Sequence, residues 1–152
     1  MTSYLFRSSW SGGKTVDVTL RIEVEICGTL PNGNRWRHKV GEGHDFSTAV
    51  ISSGVRSTDG ITTEGEVVTV DAGMFPARTD FADVFIVVVP GASGTFHQFK
   101  HPVVSIHSLE TDLCICELFL DHDFEQEDTV HLMRFERNGI RWAARLVNMG
   151  VN

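Results

Sequence analysis

Between residues 15 and 26 the chain alternates without a fault. Val16, Val18, Leu20, Ile22, Val24 and Ile26 take one set of positions, and Thr15, Asp17, Thr19, Arg21, Glu23 and Glu25 take the other. A period of two places every apolar side chain on one side of a β-strand, whereas in a helix the same residues would scatter around the axis. The segment therefore reads as a long strand with one face in a core and the other in water.

The rest of the chain repeats the theme. Residues 35–40 read as a shorter, basic strand, 46–52 as another, and 67–71 as a further one after a loop rich in Gly, Ser and Thr over 53–65. The run Val84-Phe85-Ile86-Val87-Val88-Val89 is apolar at both alternate positions, which places it in the middle of a sheet. Near the end, Asn138-Gly139 separates two strand-like runs and reads as the central pair of a type I′ hairpin turn. That reading pairs Arg137 with Ile140, Glu136 with Arg141, Phe135 with Trp142, Met133 with Ala144 and His131 with Leu146. It puts Phe135 and Trp142 on a largely apolar face and predicts a Glu136/Arg141 charge pair. The acidic stretch 121–128 reads as a solvated connection, with a single helical turn as the alternative, and no helix of ordinary length is expected. Many short strands with turn signals between them imply an all-β fold, a two-sheet antiparallel β-sandwich.

A chain of 152 residues without internal repeat or linker is expected to form one domain over 1–152. Its 13 basic and 20 acidic residues give a net charge of −7, the wrong sign for collecting phosphate backbones, so nucleic acid is not an expected partner. No apolar run approaches the 18 or so residues of a membrane span, and the first residues lack the pattern of a secretory leader. The expectation is a cytoplasmic protein without a transmembrane segment. Three cysteines, Cys27, Cys114 and Cys116, leave at least one unpaired and suit a reducing compartment. Cys114 and Cys116 alternate on a strand, but no second pair completes a Cys-x-Cys metal site, so all three read as buried, apolar-like thiols.

Val68-Thr69-Val70-Asp71 is followed by Phe75-Pro76-Ala77, then by the apolar strand 83–89, and then by Phe96 and Phe99 before Val103-Val104-Ser105-Ile106. Glu117-Leu118-Phe119-Leu120 and a closing set of Phe135, Gly139, Trp142 and Gly150 complete the series. Together, over residues 66–152, they amount to a resemblance to the TerD family of tellurium-resistance and stress-response proteins. It implies a calcium-binding β-sandwich acting without catalysis, alongside other stress-response proteins or at a membrane surface. Calcium takes six to eight oxygens, many from loop carboxylates. The family's dense aspartate run is reduced here to His44-Asp45-Phe46-Ser47, its Gly-Trp-Asp element is missing, and its second acidic loop survives as Asp59-Gly60-Ile61-Thr62-Thr63-Glu64-Gly65-Glu66. The implied metal ligands are thus Asp45, Asp59, Glu64 and Glu66, with Asp71 as an outlying candidate. So thin a set predicts weakened calcium binding, and the same acids also fit simple solvated loops.

Other motifs fall short. Asp121, Asp123 and Glu125 open like an EF-hand loop, but Gln126 replaces its glycine and Leu132 its closing glutamate. There is no Gly-x-Ser-x-Gly elbow and no complete phosphate loop around Gly12-Gly13-Lys14-Thr15. Seven histidines leave one enzymatic alternative, a metal centre of His97, His101 and His107. A structural or assembly role shares the same sandwich and stays open beside it.

Overall fold

A computed structural model describes residues 2–11, 18–40, 49–57, 63–89 and 94–151. They form β1 (Ser3–Ser11), β2 (Thr19–Thr29), β3 (Arg35–Val40), β4 (Val50–Ser52), β5 (Arg56–Ser57), β6 (Thr63–Asp71), β7 (Thr79–Val89), β8 (Lys100–Ser108), β9 (Leu113–Phe119), α1 (Leu120–Asp123), β10 (Thr129–Asn138) and β11 (Arg141–Gly150). Short 3₁₀ turns lie at Ala72–Met74 and Phe96–Gln98. The strands make two antiparallel sheets, as the alternation requires. The first runs β4-β6-β1-β8-β9 with β5 also on β6, and the second runs β11-β10-β7-β2-β3.

The inward rows of the two sheets meet in one core. Leu20, Ile22, Val24 and Ile26 of β2 and Ala82, Val84, Ile86 and Val88 of β7 face Phe6, Val68, Val70, Val104 and Ile106 of the other sheet. Each large side chain fully buried this way contributes about 1.5–3 kcal/mol. The apolar strand β7 is third of five in its sheet, as expected. Its outer row (Phe81, Phe85, Val87, Val89) is half-buried, shielded by charged neighbours rather than by another layer. Gly28 is dictated by packing. A Cβ there would collide with the Arg78 carbonyl oxygen and the Trp36 ring.

The terminal hairpin forms, but in a register shifted by two. Asn138 pairs with Arg141, Arg137 with Trp142, Phe135 with Ala144 and Met133 with Leu146. The central residues are therefore Gly139 and Ile140. Gly139 has φ +67°, the left-handed value that type II′ turns require at their first central position, and Ile140 is 95% exposed. Glu136 consequently lies opposite Ala143 and meets Arg145 at 3.6 Å, not Arg141. A second departure is a bulge between His131 and Met133, which turns His131 onto the outer face with Arg134 while Leu132, Met133 and Phe135 all face the core. Trp142 is half-buried, edge-on to Phe75 at 5.2 Å, with the Arg137 guanidinium over its ring.

Two connections are ordered, the first beyond what the sequence suggests and the second as the single helical turn it offered as an alternative. Within the expected loop 53–65, Arg56 and Ser57 pair with Gly65 and Glu64, so β6 already begins at Thr63. In the acidic stretch, the buried Leu120 anchors a helical turn, because its side chain reaches the core at the end of β9.

Candidate functional site

Along β6 the inward positions run Glu64, Glu66, Val68 and Val70. An ionised glutamate at such a position is costly unless its oxygens are satisfied. Those of Glu66 are, and its side chain is wholly inaccessible. Oε1 accepts from the Ile22 main-chain N–H at 2.9 Å and from Arg21 Nε at 3.3 Å. Oε2 accepts from Arg21 Nη2 at 3.0 Å and from Ser52 Oγ at 2.6 Å. Among the described residues β3 pairs with β2 only from Val24 onward, and the Ile22 N–H donates to the carboxylate. A carboxylate offers about four acceptor positions, and all are filled. Glu66 therefore ties β6 to the edge of the opposite sheet, and in this geometry it has no lone pair left for a cation.

Of the other expected ligands, Glu64 lies one pleat away, half-buried beside Trp10 and Ser57. Asp45 and Asp59 lie outside the described residues. Asp71 caps the 3₁₀ turn, accepting from the Gly73 N–H at 3.0 Å. The structure thus brings Glu64 and Glu66 to one face and gives Asp71 a separate task.

His97, His101 and His107 do not converge. The exposed His97 stands 3.8 Å from Glu125, His101 is exposed on a left-handed backbone (φ +50°), and His107 Nε2 lies 3.0 Å from Ser105 Oγ. No group of three potential metal ligands occurs among the described residues. The thiols also depart from expectation. Cys27 is buried, but Cys114 is exposed and Cys116 half-buried, since β9 is an edge strand with a register shift beside them.

A second acid-centred network escaped the sequence reading. Asp83 sits on the outer face of β7, yet it is only 4% exposed. Arg134 of β10 grips it with both arms of its guanidinium, Nε to Oδ1 at 2.7 Å and Nη2 to Oδ2 at 2.9 Å, and His131 Nε2 lies 2.8 Å from Oδ1. Hydrogen bonding to Asp83 raises the Arg134 pKa further above its ordinary value. Phe85 stacks on His131 at 4.8 Å, and Arg134 lies over Phe81 at 4.4 Å. On the next strand Glu25 and Glu23 pair with Arg37 (3.1 Å) and Lys39 (3.8 Å). Burial pushes the pKa of the neighbouring Cys27 thiol up, Arg37 opposes the shift, and Glu25 and Asp83 add to it. The available signal was Asp83 itself, a lone acid in an apolar run.

Two clefts of similar size lie on the surface of the described residues. One, of about 350 Å³, is lined by Cys27, Arg35, Trp36, Arg37, Asp80 and Phe81. The other, of about 360 Å³, lies on the six-stranded sheet between Arg7 and Ser9 of β1 and Ser53, Arg56 and Ser57 at β5.

No protein-family model matches the sequence, and no curated protein matches it significantly. Solved structures do match. The crystal structure of SAV2460, a protein of unknown function, aligns with a TM-score of 0.70 at 14% identity over 99% of this chain and 90% of that one. A homologue of telluride resistance protein (TerD), SCO6318 from Streptomyces coelicolor, aligns with a TM-score of 0.72 at 11% identity over 100% and 91%. The chain has a TerD-like fold. The likeness extends beyond the stretch from residue 66 to include β1 to β4. Among the described residues of this TerD-like chain, no helix is long and apolar enough to cross a membrane.

Proposed function

We propose that the protein is a divergent, non-enzymatic TerD-like binding module of a tellurium-resistance or stress response, working in the cytoplasm with other stress-response proteins or at a membrane surface. The observation that carries the reading is the alignment of the whole chain with a telluride-resistance homologue. In this reading calcium binds weakly through Asp45, Asp59 and Glu64. Glu66 joins them only by giving up bonds to Arg21, Ser52 and Ile22, a cost that fits a low affinity.

Melting scanned from micromolar to millimolar calcium tests this. A ligand at a hundredfold its dissociation constant stabilises the folded state by about 2.7 kcal/mol, worth roughly 5–10 °C in a chain of this size. The rise should vanish in Asp45→Ala and Asp59→Ala and shrink in Glu64→Ala. A flat profile in the native chain removes calcium and leaves a binding module of another kind.

A further inference from the structure

Arg7 and Arg56 stand on either side of β6. In the register of the sheet, Arg7 is opposite Val67, while Ser9 and Arg56 flank Gly65 from its two sides. Strands about 4.8 Å apart, with the two arginines offset by two residues along β6, put their stems about 12 Å from each other, a gap that two arginine side chains can close. Gly65 raises no side chain between them. The space so enclosed is the cleft of about 360 Å³, which Ser9, Ser53 and Ser57 also line; the Ser53 hydroxyl is already engaged, donating to the Gly54 carbonyl at 2.8 Å and accepting the Val67 N–H at 2.9 Å.

The second arginine is held in place. Arg56 Nε donates to the Ser53 carbonyl at 2.9 Å, which leaves both terminal nitrogens free to point elsewhere. Ser53 is itself fixed to β6, donating its N–H to the Val67 carbonyl and accepting the Val67 N–H on Oγ, each at 2.9 Å. The adjoining Ser52 Oγ accepts the Gly54 N–H at 2.9 Å and donates to Glu66 at 2.6 Å. The buried Glu66 thus anchors the turn that presents Arg56.

No carboxylate lies within ion-pair distance of Arg7 or Arg56 among the described residues, and the one acid lining the cleft, Glu66, is committed to Arg21, Ser52 and Ile22. In a chain of net charge −7, two neighbouring arginines that have no acidic partner among the described residues repel each other, and an anion between them relieves that repulsion. Guanidinium groups match phosphate oxygens with paired N–H donors, and Ser9, beside Gly65 on the same face, adds a hydroxyl.

We propose that this cleft is a binding site for a phosphate group, either free or carried by a small organic molecule. The site takes no ligand from Asp45, Asp59 or Glu64 and shares with the calcium reading only Glu66, which lines the cleft without facing the anion. The test is calorimetric titration of the full chain with inorganic phosphate and with glycerol phosphate, without calcium and at constant ionic strength. Saturable binding is expected, weakened about tenfold or more in Arg7→Gln and in Arg56→Gln, the loss typical of a removed charged hydrogen bond. Arg35→Gln, at an exposed arginine in the other cleft, and Asp59→Ala should bind as the native chain does. Tighter binding of glycerol phosphate supports an organic ligand, and equal binding supports phosphate itself. Absence of saturable binding of either compound up to about 20 mM, weaker than any useful affinity, overturns the proposal. So does equal loss in Arg35→Gln.

Discussion

Two buried carboxylates organise this sandwich, and they do so differently. Glu66 points inward and draws its partners from three separate segments, Arg21 and Ile22 of β2 and Ser52 of β4, so it ties one sheet to the other. Asp83 points outward and is covered by Arg134 and His131 of a single neighbouring strand in its own sheet. The partners are comparably open to water, Arg134 at 30% and His131 at 17% against 18% for Arg21, while the carboxylates themselves are 6% exposed at Asp83 and 0% at Glu66. The same chemistry, an acid gripped by arginine, is part of the inter-sheet architecture in one place and a lid over an exposed sheet face in the other.

The sharpest way to break this contrast is to remove each acid in turn. Glu66→Ala should cost about 3–5 kcal/mol, because it strands a partly buried arginine and leaves the Ile22 N–H without an acceptor. Asp83→Asn should cost less, about 1.5–3 kcal/mol, since Arg134 and His131 can turn to solvent. Chemical denaturation of both variants measures the difference. Equal losses would show that the outward acid is as much a part of the architecture as the inward one.

A smaller effect separates the partners of Asp83. His131→Asn should cost only about 0.5–1.5 kcal/mol, the worth of one hydrogen bond, because both arms of Arg134 remain. A loss as large as that of Asp83→Asn would mean that the imidazole, wedged against Phe85, holds the network together.

The sequence made the strands legible wherever one face was buried. The alternation of β2 survives in the structure from Leu20 to Ile26, and β7 lies where its apolar run requires. The hairpin shows the limit. A shift of two residues leaves every side chain on the same face, so the apolar pattern of Phe135 and Trp142 fits both registers equally. Only the turn distinguishes them, and an exposed Ile140 in its second central position carries no turn signal. The bulge at Leu132 was equally silent, and with it the meeting of His131, Arg134 and Asp83. Glu66 was legible as an acid of interest but not as a strut, because Gly65 beside it reads as loop whereas β6 begins at Thr63. Trp142 is the converse case. It is on the face expected of it but half-exposed on an edge strand, so its truncation should cost less than the ~3–5 kcal/mol of a fully buried Phe135→Ala.

The smallest effect concerns Cys27, and it distinguishes the two acids without unfolding the protein. Cys27 lies opposite Phe81, whose ring is covered by Arg134, so the network around Asp83 also shields this thiol. Its raised pKa follows from burial first, with Glu25 and Asp83 adding to it against the pull of Arg37. The sign is that of a group favoured in its protonated form by folding. The contribution is present below the ordinary thiol range and lost as pH rises through the folded value. At neutral pH a thiol reagent should therefore modify exposed Cys114 first, Cys116 next and Cys27 last. Asp83→Asn removes one of the charges that keep the thiol protonated and loosens its cover, so Cys27 labelling should accelerate at temperatures far below melting. Glu66→Ala acts on the other side of β2, and it should expose Cys27 only in proportion to the unfolded fraction. Mass spectrometry of timed alkylation in both variants decides the matter. Acceleration in both, or in neither, would mean that the outer face does not open independently of the core.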